Sequence, residues 1–145
     1  MTMTTTENLW PDFDVELRIK SSKKILLEQA DFFMKATQSI LVAKVETNPH
    51  TTNYNADTNN YQVHFIDHNF NIIAPELNGY AYTLFILRQE GLNMYPCSLF
   101  FDGKEIKIDN EGILVTELKK TFSHQSTKDV VTSLLALSKD NKPSN

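Results

Sequence analysis

Cysteine, glycine and basic charge are all scarce in this chain. Only Cys97 among the 145 residues is a cysteine, so no intramolecular disulfide can form, and a reducing cytoplasm is the compartment expected. The four glycines, at 79, 91, 103 and 112, are too scattered for a Walker loop or a dinucleotide fingerprint, which cluster glycines at a strand-to-helix turn. No CxxC, HExxH or GxSxG occurs, which removes the common redox, zinc and hydrolase signatures. With 14 Lys and Arg against 18 Asp and Glu, a net charge of −4, the chain lacks the cationic surplus that binds a phosphate backbone, and nucleic acid is not an expected partner. The basic pairs Lys23-Lys24 and Lys119-Lys120 fall in predicted helices, where a solvated face explains them. No segment approaches the roughly 20 apolar residues of a membrane span. The start MTMTTTENLW has neither a basic region nor an apolar stretch. A cytoplasmic protein, neither secreted nor bound to a membrane, is the expectation.

Core-forming material is present in quantity. Hydrophobic residues make up 41% and aromatics 10%, enough to close one domain over the whole chain without a metal, disulfide or cofactor. Residues 1–8 and 139–145 read as polar tails.

The β core is expected between Asn78 and Ile108. From Tyr80 to Leu87 both alternating sets are largely apolar, Tyr80, Tyr82, Leu84 and Ile86 against Ala81, Thr83, Phe85 and Leu87, a pattern that calls for cover on both faces. A second run spans Tyr95 to Phe101. Asp102-Gly103 is a strong hairpin signal leading into Lys104 to Ile108.

The flanks supply further elements. Phe13 to Ile19 alternates strictly and predicts a strand with one buried face, with Trp10 as a lid on the core. Ser21-Ser22 offers an N-cap to a helix with Leu26, Ala30, Phe33 and Thr37 on one stripe, Leu27 and Met34 beside it, and Ile25 and Phe32 widening the arc. Ile40 to Val45 reads as a strand buried on both faces, completing a βαβ unit. Thr47 to Asn60 is polar, rich in Asn and Thr and contains Pro49, so it predicts a long loop with Tyr54 as a partner anchor. Tyr61 to Ile66 alternates, Asp67-His68-Asn69 has turn chemistry, and Asn71 to Pro75 allows a short return. Asn110 caps a helix with Ile113, Leu114, Leu118 and Phe122 inward. Ser126 caps another, with Asp129 as the capping-box acid and Val130, Val131, Leu134, Leu135 and Leu137 inward.

The fold class that follows is α+β: a mixed, mainly antiparallel sheet of about five to six strands, an N-terminal crossover helix and a C-terminal helix pair. The functional expectation is a non-catalytic protein-protein interaction module of adaptor, inhibitor or immunity type, with a homodimer among its forms. It rests on the missing catalytic signatures, the acidic charge and an apolar helix surface wider than one sheet face can hide. Tyr54, Tyr80, Tyr82, Tyr95 and Phe32 are the candidate binding residues. The competing class is an enzyme or small-ligand binder with a site near His64, Asp67 and His68. The two histidines share a strand face but stand about 13 Å apart at ~3.3 Å per residue, so they meet one ion only if the chain turns between them. No metal or cofactor is assigned. Cys97 reads as a small core hydrophobe, His50 and His124 as surface residues, and Asp102, Glu105, Asp109 and Glu111 as turn and cap acids.

Overall fold

Ser21 accepts a hydrogen bond from the Lys24 amide at 3.0 Å and starts helix α1, Ser22–Ala36. The computed structural model describes residues 6–15, 19–56 and 59–142, and the side chains of residues 54–61 lie outside that description. After α1 the chain reverses through Gln38 and Ser39, both left-handed at φ 53° and 62°. Strands β1 (Val42–Ala56) and β2 (Asn59–Ala74) follow, then a 3-10 turn at Pro75–Leu77 and strands β3 (Tyr80–Glu90), β4 (Cys97–Phe101) and β5 (Lys104–Ile108). Helices α2 (Glu111–Ser123) and α3 (Gln125–Asp140) close the order. The sheet runs β1-β2-β3-β4-β5, each neighbour antiparallel. The class is α+β, with one helix before the sheet and two after it.

Two expected elements are replaced by one long hairpin. The βαβ unit does not form, because the strand after α1 pairs antiparallel with β2. Phe13, Val15 and Ile19 are exposed, as is the proposed lid Trp10, and Glu16, Leu17 and Arg18 lie outside the described residues. Alternation gives a segment the shape of a strand, but a strand persists only against a ladder, and β1 finds its ladder in β2. The loop expected over Thr47 to Asn60 is instead ribbon: pairing continues from Thr47↔His68 to Ala56↔Asn59. Backbone pairing satisfies that ribbon, and its side chains need no apolar face where it runs beyond the helices. Pro49 is tolerated because β1 is an edge strand. Asp67, His68 and Asn69 lie in mid-strand, facing Asn48, Thr47 and Glu46, and make no turn.

A β-bulge decides which residues of β3 face the helices. The register steps from Phe70↔Phe85 to Asn71↔Thr83, leaving Leu84 as the extra residue. Side-chain parity flips there, so Tyr80, Tyr82 and Leu84 share a face with Phe85, Leu87 and Gln89. The expected cover on both faces is therefore absent, and Ala81 and Thr83 on the other side are exposed. All three helices contribute to one core cluster: Leu26 and Ala30 from α1, Leu114 and Leu118 from α2 and Leu134 from α3 pack with Phe70, Ile72, Phe85, Leu87 and Leu99. Phe70 and Phe85 stack at 5.0 Å, and the Phe122 ring of α2 closes on both at 5.6 and 5.9 Å.

Local chemistry sets the remaining joints. Asp102 and Gly103 are both left-handed, φ 52° and 73°, as a two-residue hairpin requires. Asn110 Oδ1 accepts from the Ile113 amide at 2.9 Å and caps α2. The cap of α3 is His124, not Ser126: its Nδ1 accepts from the Ser126 amide at 3.1 Å. The polar tail expected from Lys139 starts later, because α3 runs to Asp140 and the Asn141 side-chain Nδ2 donates to the Glu76 carbonyl.

Replacing Leu84 or Phe85 by alanine is expected to cost roughly 2–5 kcal/mol, with Phe85 at the upper end because it also loses its aromatic partners. Urea titration reads this directly. A midpoint unmoved in both variants would show that the bulge does not turn Leu84 inward.

Candidate functional site

A cleft of about 480 Å³ lies between helices α1 and α3. Its floor is Phe70, Ile72 and Leu84, and its walls are Phe32, Phe33 and Ala36 from α1 with Val131 and Leu135 from α3. Two of the hydroxyls that line it are engaged within the fold: Thr37 Oγ1 donates to the Phe33 carbonyl at 3.1 Å, and Thr127 Oγ1 to that of Thr121 at 2.7 Å. Phe122, Gln29, Lys128 and Thr132 complete the lining. Such a surface takes apolar groups and offers little to a polar substrate. Phe32 stands 59% exposed on its wall, so the arc that the sequence made too wide for one sheet is resolved by burying Ile25 and leaving Phe32 and Leu27 out.

The other flank of α3 carries a second groove of about 460 Å³, where Tyr80 and Tyr82 meet Val130, Leu134 and Leu137. The bulge puts both tyrosines there, and both stay exposed. Tyr95 does not join them. It sits two residues before Cys97, which pairs with Gln89 at the far end of β3. The Tyr95 ring packs on the core, and burial raises its pKa; the hydroxyl has no hydrogen-bond partner among the described residues. The side chain of Tyr54 lies outside the described residues.

His64, Asp67 and His68 are not brought together. Asp67 and His68 are successive in β2 and point to opposite faces, and His64 is exposed. On the helix side His68 is buried in a polar row: it contacts Thr47 Oγ1 through Nδ1 at 3.0 Å and Gln89 Oε1 through Nε2 at 3.1 Å. Because the Gln89 oxygen can only accept, Nε2 carries the proton and Nδ1 accepts from Thr47. Burial lowers the His68 pKa, with a smaller contribution from the Lys23 charge, and the neutral ring suits both bonds. On the open side Arg88 grips Asp67 through Nε and Nη2 at 2.8 and 3.0 Å, and His50 Nε2 donates to the same carboxylate at 3.0 Å. The guanidinium lies between Phe65 and Phe100, 5.1 and 5.0 Å from their ring centroids. Burial works to raise the Asp67 pKa, but the Arg88 hydrogen bonds and charge outweigh it and hold the carboxyl below its ordinary value.

In both networks each member is bonded to another member. Burial pushes the Cys97 thiol up to about 11, which keeps it protonated and inert. Among the described residues no group of three or more His, Cys, Asp and Glu can hold a metal ion. None of the described helices is long and apolar enough to cross a membrane. The Arg88–Asp67–His50 triad escaped the sequence reading because its members are 17 and 21 residues apart and meet only through register.

Acid should weaken the fold in two steps. His68 is depressed in the native state, so the unfolded chain binds its proton first and stability falls as pH drops through about 6.5. Asp67 is also depressed, so its contribution is present above the unfolded value near 3.8 and is lost as pH falls further. Urea midpoints across pH 3 to 8 measure both steps, and His68→Gln should remove only the upper one. Arg88→Leu should cost about 2–3 kcal/mol by stranding the Asp67 carboxylate, somewhat less than a fully enclosed pair because the guanidinium reaches solvent. Asp67→Asn in that background should recover much of the loss. No protein-family model, no curated protein and no solved structure matches the chain.

Proposed function

We propose that this protein is a non-catalytic interaction module that seats apolar side chains of a protein partner in the cleft between α1 and α3. The observation that carries the reading is the cleft itself, walled by Phe32, Phe33, Val131 and Leu135, with the Thr37 and Thr127 hydroxyls engaged inside the fold. An aromatic anchor at the edge of an apolar depression is the arrangement in which a few residues supply most of the binding energy. The Tyr80 and Tyr82 groove on the other flank of α3 extends the same surface around the helix. The reading covers an adaptor, an inhibitor or an immunity-type protein, and a cytoplasmic setting suits the buried, unreactive Cys97.

Phe32→Glu should leave circular dichroism and melting temperature nearly unchanged while abolishing partner capture from an extract of the source cells. Phe33→Glu should destabilise the fold, since Phe33 packs against the buried cluster. A glutamate at 32 that leaves capture intact would remove the cleft from the binding surface. Light scattering on the same pair assigns the case in which the partner is a second copy: a dimer converted to a monomer by Phe32→Glu.

A further inference from the structure

The chain shows once how it holds a guanidinium. Arg88 lies between the Phe65 and Phe100 rings, 5.1 and 5.0 Å from their centroids, while Asp67 accepts from its Nε and Nη2 at 2.8 and 3.0 Å. The aromatic faces attract the cation, and the carboxylate supplies directed, charge-assisted bonds. The groove on the flank of α3 away from the cleft gathers the same two kinds of group, and no Arg or Lys lines it.

Tyr80 and Tyr82 form one side of that groove. They are two residues apart on β3, about 6.6 Å at ~3.3 Å per residue, and share a face, so one planar side chain can reach both rings. They are 53% and 37% exposed. Val130 and Leu134 of α3 make an apolar bed beside them. Asp129 is the one charged residue of the lining. Gln125 Nε2 donates to its Oδ1 at 2.8 Å, and among the described residues no cation pairs with it. Its chain neighbour Lys128 lines the cleft on the other flank of the helix.

Charge selects the occupant. A carboxylate entering the groove is repelled by Asp129 and by the net charge of −4, whereas a cation is attracted by both and by the tyrosine faces. Arginine fits better than lysine, because a guanidinium lies flat on an aromatic ring while its fork bonds to a carboxylate. Tyrosine and arginine are also the residue types that most often carry the binding energy of an interface.

We propose that this groove takes an arginine side chain of a protein partner, stacked on Tyr80 and Tyr82 and bonded to Asp129. This rests on the reading of the protein as an interaction module, but it uses none of the residues that line the cleft. The partner is thereby defined by a cation as well as by apolar anchors.

The probes are the capped peptide acetyl-Gly-Arg-Gly-amide and its citrulline counterpart, whose urea keeps the shape of the guanidinium without the charge. Titrated into the isotope-labelled full chain, the arginine peptide should give saturating NMR shifts centred on Tyr80, Tyr82 and Val130. The citrulline peptide should bind about fivefold more weakly, as loss of a cation–π contact of ordinary strength implies. Asp129→Asn removes the charge, and Tyr80→Leu keeps apolar area while removing a ring face. Each should bring the arginine peptide down to the citrulline level with circular dichroism unchanged. Shifts that never saturate overturn the proposal, as do equal affinities for the two peptides, which mean an apolar groove alone, or shifts centred on other carboxylates. Wild-type binding by Asp129→Asn overturns it too. Partner capture separates this proposal from the cleft: Phe32-dependent capture with no arginine binding sinks only the groove, whereas arginine binding with Phe32-independent capture sinks only the cleft.

Discussion

The extra residue at Leu84 fixes how every other layer is arranged. With strict alternation, Tyr82 and Phe85 stand on opposite faces of β3, and the sheet needs apolar cover on both. The step from Phe70↔Phe85 to Asn71↔Thr83 cancels that demand by gathering the large side chains of β3 onto one face. Three helices on one side then suffice. Two grooves flank α3 on that side.

Much of the helical layer was legible because capping and 3.6-residue periodicity are local. Ser21, Asn110, the Asp102-Gly103 hairpin and the inward residues of α1 and α2 all stand as their chemistry requires. What failed depended on partners distant in sequence. Phe13 to Ile19 has the alternation of a strand, but nothing within it says that β1 would instead take β2. Thr47 to Asn60 has the composition of a loop because composition reports side-chain burial, and a ribbon beyond the core needs only backbone pairing. At α3 the cap passed from Ser126 to His124, whose ring nitrogen can accept a bond as an Asx oxygen does.

The candidate site divides along the same line. Phe32 was legible because it lies outside the stripe of Leu26 and Ala30, and a helix wheel alone shows a residue without a place on one sheet. Tyr80 and Tyr82 were found as a pair but assigned company in Tyr95 that the register denies them. Arg88, Asp67 and His50 could not be found at all, since their contact is made by cross-strand pairing over long loops of sequence.

The uncovered face of the sheet explains why exposure there need not mean adhesion. Phe65 and Phe100 are apolar, yet the Arg88 guanidinium lies between them, so a ligand that stacked on either ring would have to displace a cation already bonded to Asp67. The edges are guarded differently. On β1, Pro49 removes a donor, and on β5, Lys104, Glu105 and Lys107 place charges along a five-residue strand, both of which discourage another strand from adding on. On the helix side the cleft is thinly guarded: Phe32 and the floor of Phe70, Ile72 and Leu84 carry no charge, and Lys128 is the one charged residue of its lining. The proposed use of that cleft as a binding surface puts association where the guards of the sheet edges do not reach.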